Sequence, residues 1–145
     1  MEKPSTEETK NRIKDKIEQI EQFIQELSEI KPMDFEEYLA DFGKKAACER
    51  YGEKIPQAFI DLALLIIKYK KLPAPRDEDN AFEILEQNKI ISPELSKNLQ
   101  DAKSMRNFIA HEYGRIDDSI VFEAVDHELE RDAEEFINSI KEEIK

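Results

Sequence analysis

The first hydrophobic pattern in the chain is a stripe in which isoleucine and leucine recur every three or four residues. That spacing predicts one apolar face on a helix from about Thr6 to Ile30, which Pro32 should end. The stripe consists of Ile13, Ile17, Ile20, Ile24, Leu27 and Ile30. The chain therefore opens with one long amphipathic helix.

A second and longer apolar pattern begins at a potential capping residue, Asp34, and reaches about Tyr69. Gly52 and Pro56 interrupt it. Because proline removes a backbone donor and crowds the preceding turn, the alternatives are a kink or two abutting helices at this point. We expect a single helix with a kink.

Residues 72–80 form the clearest predicted loop, since two prolines and a polar cluster resist helix formation. A short helix over about 80–89 should follow. Ser92 and Pro93 then form a start signal for a fourth helix, because serine accepts an orphan amide hydrogen and proline suits the first helical position. We expect this helix to end near Gly114.

Asp117 or Asp118 can cap a last helix with its own apolar stripe. The stripe consists of Val121, Ala124, Val125, Leu129, Phe136, Ile137 and Ile140. With only three glycines in 145 residues, few positions suit tight hairpins. The sequence predicts an all-α protein: a single domain, residues 1–145, folded as an antiparallel bundle of about five helices, of which four are main.

The single cysteine, Cys48, excludes an intrachain disulfide and favours a buried thiol in a reducing compartment. The N-terminal residues lack the apolar core of a signal peptide, and the longest apolar run contains Asp61 and is too short to span a bilayer. We therefore expect a cytoplasmic protein with no membrane association.

Charge is unevenly distributed along the chain. The net formal charge is −12, yet residues 43–76 contain eight bases and only three acids. This basic segment includes Lys44, Lys45, Arg50 and Lys54, which are candidate RNA-binding residues because they can neutralise phosphates. The alternative is a solvated lysine face that complements acidic neighbours.

The candidate chemistry lies in SMRNFIAHEYGRID, residues 104–117. On a straight helix Arg106 and Tyr113 share one face and Asn107 and His111 an adjacent one, so Arg106 and His111 are separated by about 140°. They can meet at one ligand if the helix bends at Gly114 or if a second copy lies alongside. In a symmetric dimer, two copies of His111 supply the base and the acid of RNA cleavage, while arginine forks stabilise phosphate charge.

The same residues also allow purely structural roles. Arg106 and Asn107 are equally suited to capping or interhelical hydrogen bonds, His111 to a helix end, and Tyr113 to packing at a turn. No metal site is predicted, because two histidines 16 residues apart and one cysteine lack the usual ligand spacing.

RNFIAHEY contains an R-x4-H-x-Y element with asparagine directly after the arginine, and it resembles the signature of the HEPN superfamily, specifically its HepT toxin branch. The similarity extends to ACERYGEKIPQAFIDLALLI, the proline loop, FEILEQNKIIS with ISPEL, and YGRIDDSIVFEAV, covering about residues 12–140. Ser104 and Met105 depart from the Gly and Phe that often precede the arginine. That departure affects helix packing more than chemistry.

The resemblance implies an all-helical homodimer that acts as a metal-independent endoribonuclease toxin with no cofactor. Its partner would be a minimal nucleotidyltransferase (MNT) antitoxin that attaches AMP to the motif tyrosine. Arg106 and His111 would be the catalytic pair, Asn107 would orient the site, and Tyr113 would be modified. The alternative function is a non-catalytic helical module that binds and assists a partner nucleotidyltransferase.

Overall fold

The computed structural model describes residues 5–111 and 117–145, and every regular element within them is helical. The elements are α1 (Thr6–Ile30), α2 (Phe35–Ala40), α3 (Phe42–Tyr69), α4 (Glu78–Gln87), α5 (Pro93–His111), α6 (Asp118–Glu123), a π-helical turn (Ala124–Glu128) and α7 (Leu129–Glu143). They form an antiparallel bundle, which confirms the predicted all-α class.

Helix α1 has the predicted bounds. Ser5 and Glu8 form a reciprocal capping box at its start: the Ser5 hydroxyl accepts from the Glu8 amide at 3.0 Å, and the Glu8 carboxylate accepts from the Ser5 amide at 3.3 Å. The predicted stripe faces the core, with four of its six members buried and Ile24 and Ile30 partly buried.

The second predicted helix is two helices, and the break is at Asp41 rather than at Gly52 or Pro56. Asp41 has an extended backbone (φ −99°, ψ 95°); its amide donates to the Glu37 carbonyl at 2.8 Å, and its carboxylate accepts from the Lys44 amide at 3.0 Å. One residue thus ends α2 and caps α3. The break at Asp41 was not predicted, whereas α3 is a single helix through Gly52 and Pro56 as expected, and a kink at that point stays a prediction.

Gly52 has a packing role where α3 crosses α5. A β-carbon at this position would lie 2.8 Å from Ile109 Cδ1 and 3.5 Å from Met105 Cε. The absent side chain therefore allows α5 to approach α3 closely, near the end of the described part of α5. Gly52 is also four residues before Pro56, whose missing N–H is the one that would donate to the Gly52 carbonyl.

The starts of the next two helices follow their capping residues. Asp77 caps α4 by accepting from the Asn80 amide at 2.7 Å, so this helix occupies Glu78–Gln87 rather than about 80–89. Ser92 accepts from the Leu95 amide at 3.0 Å, and α5 begins at Pro93 as predicted. The predicted end near Gly114 lies outside the described residues.

The last predicted helix begins where expected but contains a π-helical turn. Asp117 is its cap, accepting from the amides of Ser119 at 3.0 Å and Ile120 at 3.4 Å. Within the π-helical turn, the Asp126 carbonyl accepts a hydrogen bond from Lys31 Nζ at 2.8 Å. All seven members of the predicted stripe are buried. The side chains therefore keep the predicted face through the irregular turn.

Helix α3 lies at the centre and contacts every other described helix. Its buried face joins those of α1, α5 and α7 in one hydrophobic cluster, while Cys48 is buried and free, as expected. Burial raises the pKa of the Cys48 thiol to about 11. None of the described helices is long and apolar enough to cross a membrane.

Candidate active site

An open groove of about 530 Å³ lies between α1, α3 and the C-terminal part of α5, and it contains two of the predicted catalytic residues. We call it the Arg106 groove. Its lining consists of Lys16, Gln19, Phe23, Arg50, Glu53, Lys54, Gln57, Ala58, Asp61, Glu78, Arg106, Ala110 and His111.

Helical periodicity explains why these side chains share one surface. On α3 the positions 50, 53, 54, 57 and 61 recur every three or four residues beside the buried stripe, so α3 presents a polar face next to its apolar one. On α1 the positions 16, 19 and 23 do the same. On α5 Arg106 and Ala110 are one turn apart, and His111 follows directly.

The groove carries more positive than negative formal charge although the chain as a whole is strongly acidic. Four lysine and arginine side chains and three carboxylates line it, whereas the whole chain has a net charge of −12. Within residues 5–111 and 117–145, no group of three or more histidine, cysteine or acidic side chains is arranged to hold a metal ion. The lining of the groove therefore offers a phosphate-bearing ligand a small excess of positive charge on an acidic chain.

Arg106 is held by three neighbouring side chains. Its Nη2 donates to Glu78 Oε1 at 2.8 Å and to Asn107 Oδ1 at 2.6 Å, and its Nε donates to Asn107 Oδ1 at 3.2 Å. Its Nη1 donates to the Gln57 amide oxygen and, at 3.4 Å, to Glu78 Oε2. The side chain is only 15% exposed, so the guanidinium is fixed in direction.

A further network fixes the orientation of Gln57. The Gln57 Nε2 donates to Asp61 Oδ1 at 3.0 Å, which leaves the amide oxygen to accept from Arg106. Lys16 Nζ in turn lies 3.5 Å from Asp61 Oδ2 and donates to Gln19 Oε1 at 2.7 Å. A continuous chain of polar contacts therefore crosses the groove from α1 through α3 to α5.

Lys54 is held at the groove by two aromatic rings. Its Nζ lies 5.0 Å from the centre of the Phe23 ring and 5.2 Å from that of Tyr51, within cation–π range. Tyr51 is tethered to α1, because its hydroxyl donates to Glu26 at 2.8 Å. Burial, together with that hydrogen bond, raises the pKa of Tyr51, so the anchoring ring stays a neutral phenol.

The structure brings some of the sequence-predicted site residues together. Arg106 and His111 line the same groove of one chain, and Asn107 contacts the Arg106 guanidinium. Tyr113 lies outside the described residues, as does the expected bend at Gly114.

The four predicted RNA-binding residues divide into two pairs. Arg50 and Lys54 line the Arg106 groove, whereas Lys44 and Lys45 do not. Lys44 forms an ion pair with Glu37, and the hydrogen bond to that carboxylate raises the pKa of Lys44. Lys45 lies 3.2 Å from the Asp118 carboxylate.

Two site residues, Gln57 and Glu78, are absent from the set predicted by sequence. Gln57 and Glu78 are 49 and 28 residues away from Arg106 in the sequence. Local sequence patterns do not predict contacts between residues so far apart. The sequence contained one indication that Gln57 belongs to the site: it continues the spacing of the polar residues Arg50 and Lys54 along α3. For Glu78 the sequence indicated only an acidic residue in the first turn of α4.

Three comparisons place the chain among known proteins. A family model described as "Ribonuclease HepT-like" matches residues 13–140. The mRNA nuclease HepT of Shewanella oneidensis is 38% identical over 87 residues, which are 60% of this chain and 65%, slightly under two thirds, of that protein. The tRNA nuclease HepT of Aphanizomenon flos-aquae is 29% identical over 119 residues, covering 82% of this chain and 81% of that protein.

The fold is also similar to a solved structure. The tri-AMPylated HEPN toxin of Shewanella oneidensis, in complex with its MNT antitoxin, superimposes with a TM-score of 0.82 at 31% identity. The match covers 90% of this chain and 96% of that one. Sequence and fold thus agree over most of the described residues.

Proposed function

Because the chain belongs to the HepT-like ribonuclease family, we propose that it is an endoribonuclease and the toxin of a two-gene toxin–antitoxin module. Two relatives carry the names mRNA nuclease and tRNA nuclease, which makes RNA the substrate class expected here. The observation that carries the proposal is the presence of Arg106 and His111 in one open groove with Arg50 and Lys54.

The proposed reaction uses the substrate's own 2′-hydroxyl as the nucleophile. A base removes the 2′-hydroxyl proton, the 2′-oxygen bonds to phosphorus, and the bond to the 5′-oxygen breaks as an acid protonates that oxygen. The products are a 2′,3′-cyclic phosphate and a 5′-hydroxyl. His111 is suited to proton transfer because a neutral imidazole has one nitrogen that can accept a proton and one that carries a proton.

Arg106 supplies the charge stabilisation in this scheme. Negative charge builds on the phosphate during the attack, and a planar guanidinium can donate two hydrogen bonds to it. Asn107 holds the guanidinium through contacts of 2.6 and 3.2 Å, which supports its role as an orienting residue. Since proton transfer and charge stabilisation come from side chains, the proposed reaction requires neither a metal ion nor a cofactor.

One histidine cannot serve conveniently as base and acid at the same time. We therefore place the site in a homodimer, where His111 of one protomer and His111 of the partner subunit divide the two proton transfers. The exposed Phe108, 55% accessible and three residues before His111, gives this end of α5 an apolar residue that a second copy can cover.

Neutralisation is assigned to a partner nucleotidyltransferase that attaches AMP to Tyr113. The related Shewanella toxin is tri-AMPylated in its complex with an MNT antitoxin, which supports this regulation. Tyr113 is two residues from His111 in sequence. An added phosphate there would repel the phosphate of RNA and obstruct its access.

The test compares the two histidines of the chain. His111→Ala and Arg106→Ala should each lower metal-free cleavage of RNA by roughly a hundredfold or more and abolish growth inhibition. His127→Ala is the matched control, because His127 lies in the π-helical turn and does not line the Arg106 groove. Full activity of His111→Ala would contradict the proposal. A folded wild-type dimer that cleaves no RNA would favour the non-catalytic alternative.

A further inference from the structure

The Glu78 carboxylate binds the edge of the Arg106 guanidinium that an RNA phosphate would bind. The two Glu78 carboxylate oxygens face the two terminal nitrogens of the guanidinium, at 2.8 Å from Nη2 and 3.4 Å from Nη1. Two oxygens opposite two nitrogens is the geometry in which arginine binds phosphate oxygens. Glu78 and an RNA phosphate therefore require the same edge of the guanidinium.

The remaining donors of Arg106 are also engaged. A guanidinium has five N–H groups, and Arg106 makes five contacts, two with Asn107, two with Glu78 and one with Gln57. A phosphate can thus bind the guanidinium only if one of these acceptors is displaced.

Of the three acceptors, Glu78 is the one best placed to leave. Asn107 is the neighbour of Arg106 in sequence, and Gln57 is fixed through its second contact with Asp61. The described contacts of the Glu78 carboxylate are those with Arg106 alone, and its side chain is 42% exposed. Its negative charge also opposes a phosphate in the groove.

We propose that Glu78 is a positioning residue that holds Arg106 while the groove is empty and is exchanged for an RNA phosphate when substrate binds. This inference rests on the proposed ribonuclease function. Its consequence is that RNA must compete with an internal carboxylate, so removing the Glu78 charge strengthens RNA binding. A purely structural role predicts the opposite, because loss of Glu78 would then misplace Arg106.

The expected gain in RNA affinity follows from the solvent exposure of the Arg106–Glu78 ion pair. Ion pairs at this level of exposure contribute up to about 1 kcal/mol, so neutralising Glu78 should tighten RNA binding about three- to fivefold. The chain offers a close control in Asp79, the next residue of α4. Asp79 pairs with Lys103 at 3.0 Å and does not line the Arg106 groove, so Asp79→Asn makes the same change of charge outside the groove.

The experiment measures fluorescence anisotropy of a 2′-O-methyl RNA oligonucleotide, which resists cleavage, with the full-length chain. Glu78→Gln should bind about three- to fivefold more tightly than the wild type, and Asp79→Asn should not. In the Arg106→Ala background the gain from Glu78→Gln should be smaller, because the exchange requires the guanidinium and only charge repulsion remains without it.

Two results would overturn the exchange. Equal or weaker binding by Glu78→Gln would show that Glu78 only supports the fold or orients Arg106. A gain of the same size in the Arg106→Ala background would show general repulsion instead. Cleavage of ordinary RNA by the wild type separates the two proposals: if it cleaves and Glu78→Gln binds no tighter, the exchange alone fails, whereas a wild type that neither binds nor cleaves refutes both.

Discussion

Replacing two of the four candidate RNA-binding cations should weaken RNA binding, while replacing the other two should not. Arg50 and Lys54 line the Arg106 groove, whereas Lys44 pairs with Glu37 and Lys45 lies 3.2 Å from a carboxylate outside it. Arg50→Gln with Lys54→Gln and Lys44→Gln with Lys45→Gln each change the net charge by the same amount. Any difference between the two double variants therefore reports position and not overall charge.

The size of the expected loss in RNA affinity follows from counterion release. For a single strand, each phosphate neutralised by the protein adds about 0.7 to the slope of log affinity against log salt. If Arg50 and Lys54 each neutralise one phosphate, the slope should fall by about 1.4 when both are replaced. At 0.1 M salt this slope corresponds to a loss of RNA affinity of roughly fivefold for each residue and about 25-fold for the pair.

The assay is a salt series of anisotropy titrations with the 2′-O-methyl oligonucleotide. Glutamine keeps part of each side-chain stem but removes the contacts of Lys54 Nζ with the Phe23 and Tyr51 rings, so circular dichroism is used to confirm folding. Only the groove pair should lower the slope. Equal losses of slope in both double variants would refute the groove as the RNA path, as would no loss in either.

Three further predictions concern regulation, packing and assembly. Tyr113→Phe should retain ribonuclease activity but escape neutralisation by a cognate nucleotidyltransferase with ATP, and mass spectrometry should find AMP on the wild-type tyrosine; silencing without any AMP would point to inhibition by binding. Gly52→Ala should raise the free energy of unfolding less than Gly43→Ala does, because a β-carbon 2.8 Å from Ile109 Cδ1 forces that side-chain end to shift, which offsets a helix-propensity gain of about 1 kcal/mol. Gly43→Ala, whose nearest contact is 3.4 Å away, should raise it by about 0.5–1 kcal/mol, and chemical denaturation measures both; a gain for Gly52→Ala equal to that of Gly43→Ala would contradict the close α3–α5 packing. Sedimentation should find a homodimer at micromolar concentration, and a monomer alone would count against the shared site.

Local signals predicted most of the fold. The bounds of α1 and the starts of α5 and α6 follow from capping residues and prolines that act within four residues, so sequence alone reports them. The break at Asp41 was missed because the apolar pattern continues on both sides of it. Of the two alternatives at Gly52 and Pro56, the single helix is the one observed, since one lost backbone hydrogen bond does not end a helix that packs against all the other described helices.

The candidate site was only partly predictable. The motif supplied Arg106, Asn107 and His111, but the partners that hold Arg106 come from α3 and α4, and tertiary packing alone brings them to α5. Charge counting identified the basic segment without separating Arg50 and Lys54 from Lys44 and Lys45. That separation depends on which face of α3 meets α1 and α5.

The most direct test of the account is the chemistry of the RNA ends produced in the presence of a chelator. Wild-type protein incubated with RNA and excess EDTA should yield 2′,3′-cyclic phosphate and 5′-hydroxyl ends, because the nucleophile is the substrate's own 2′-hydroxyl and the proton transfers are assigned to His111. Cleavage that appears only after a divalent metal is added, or that leaves 3′-hydroxyl ends, would contradict the proposed mechanism.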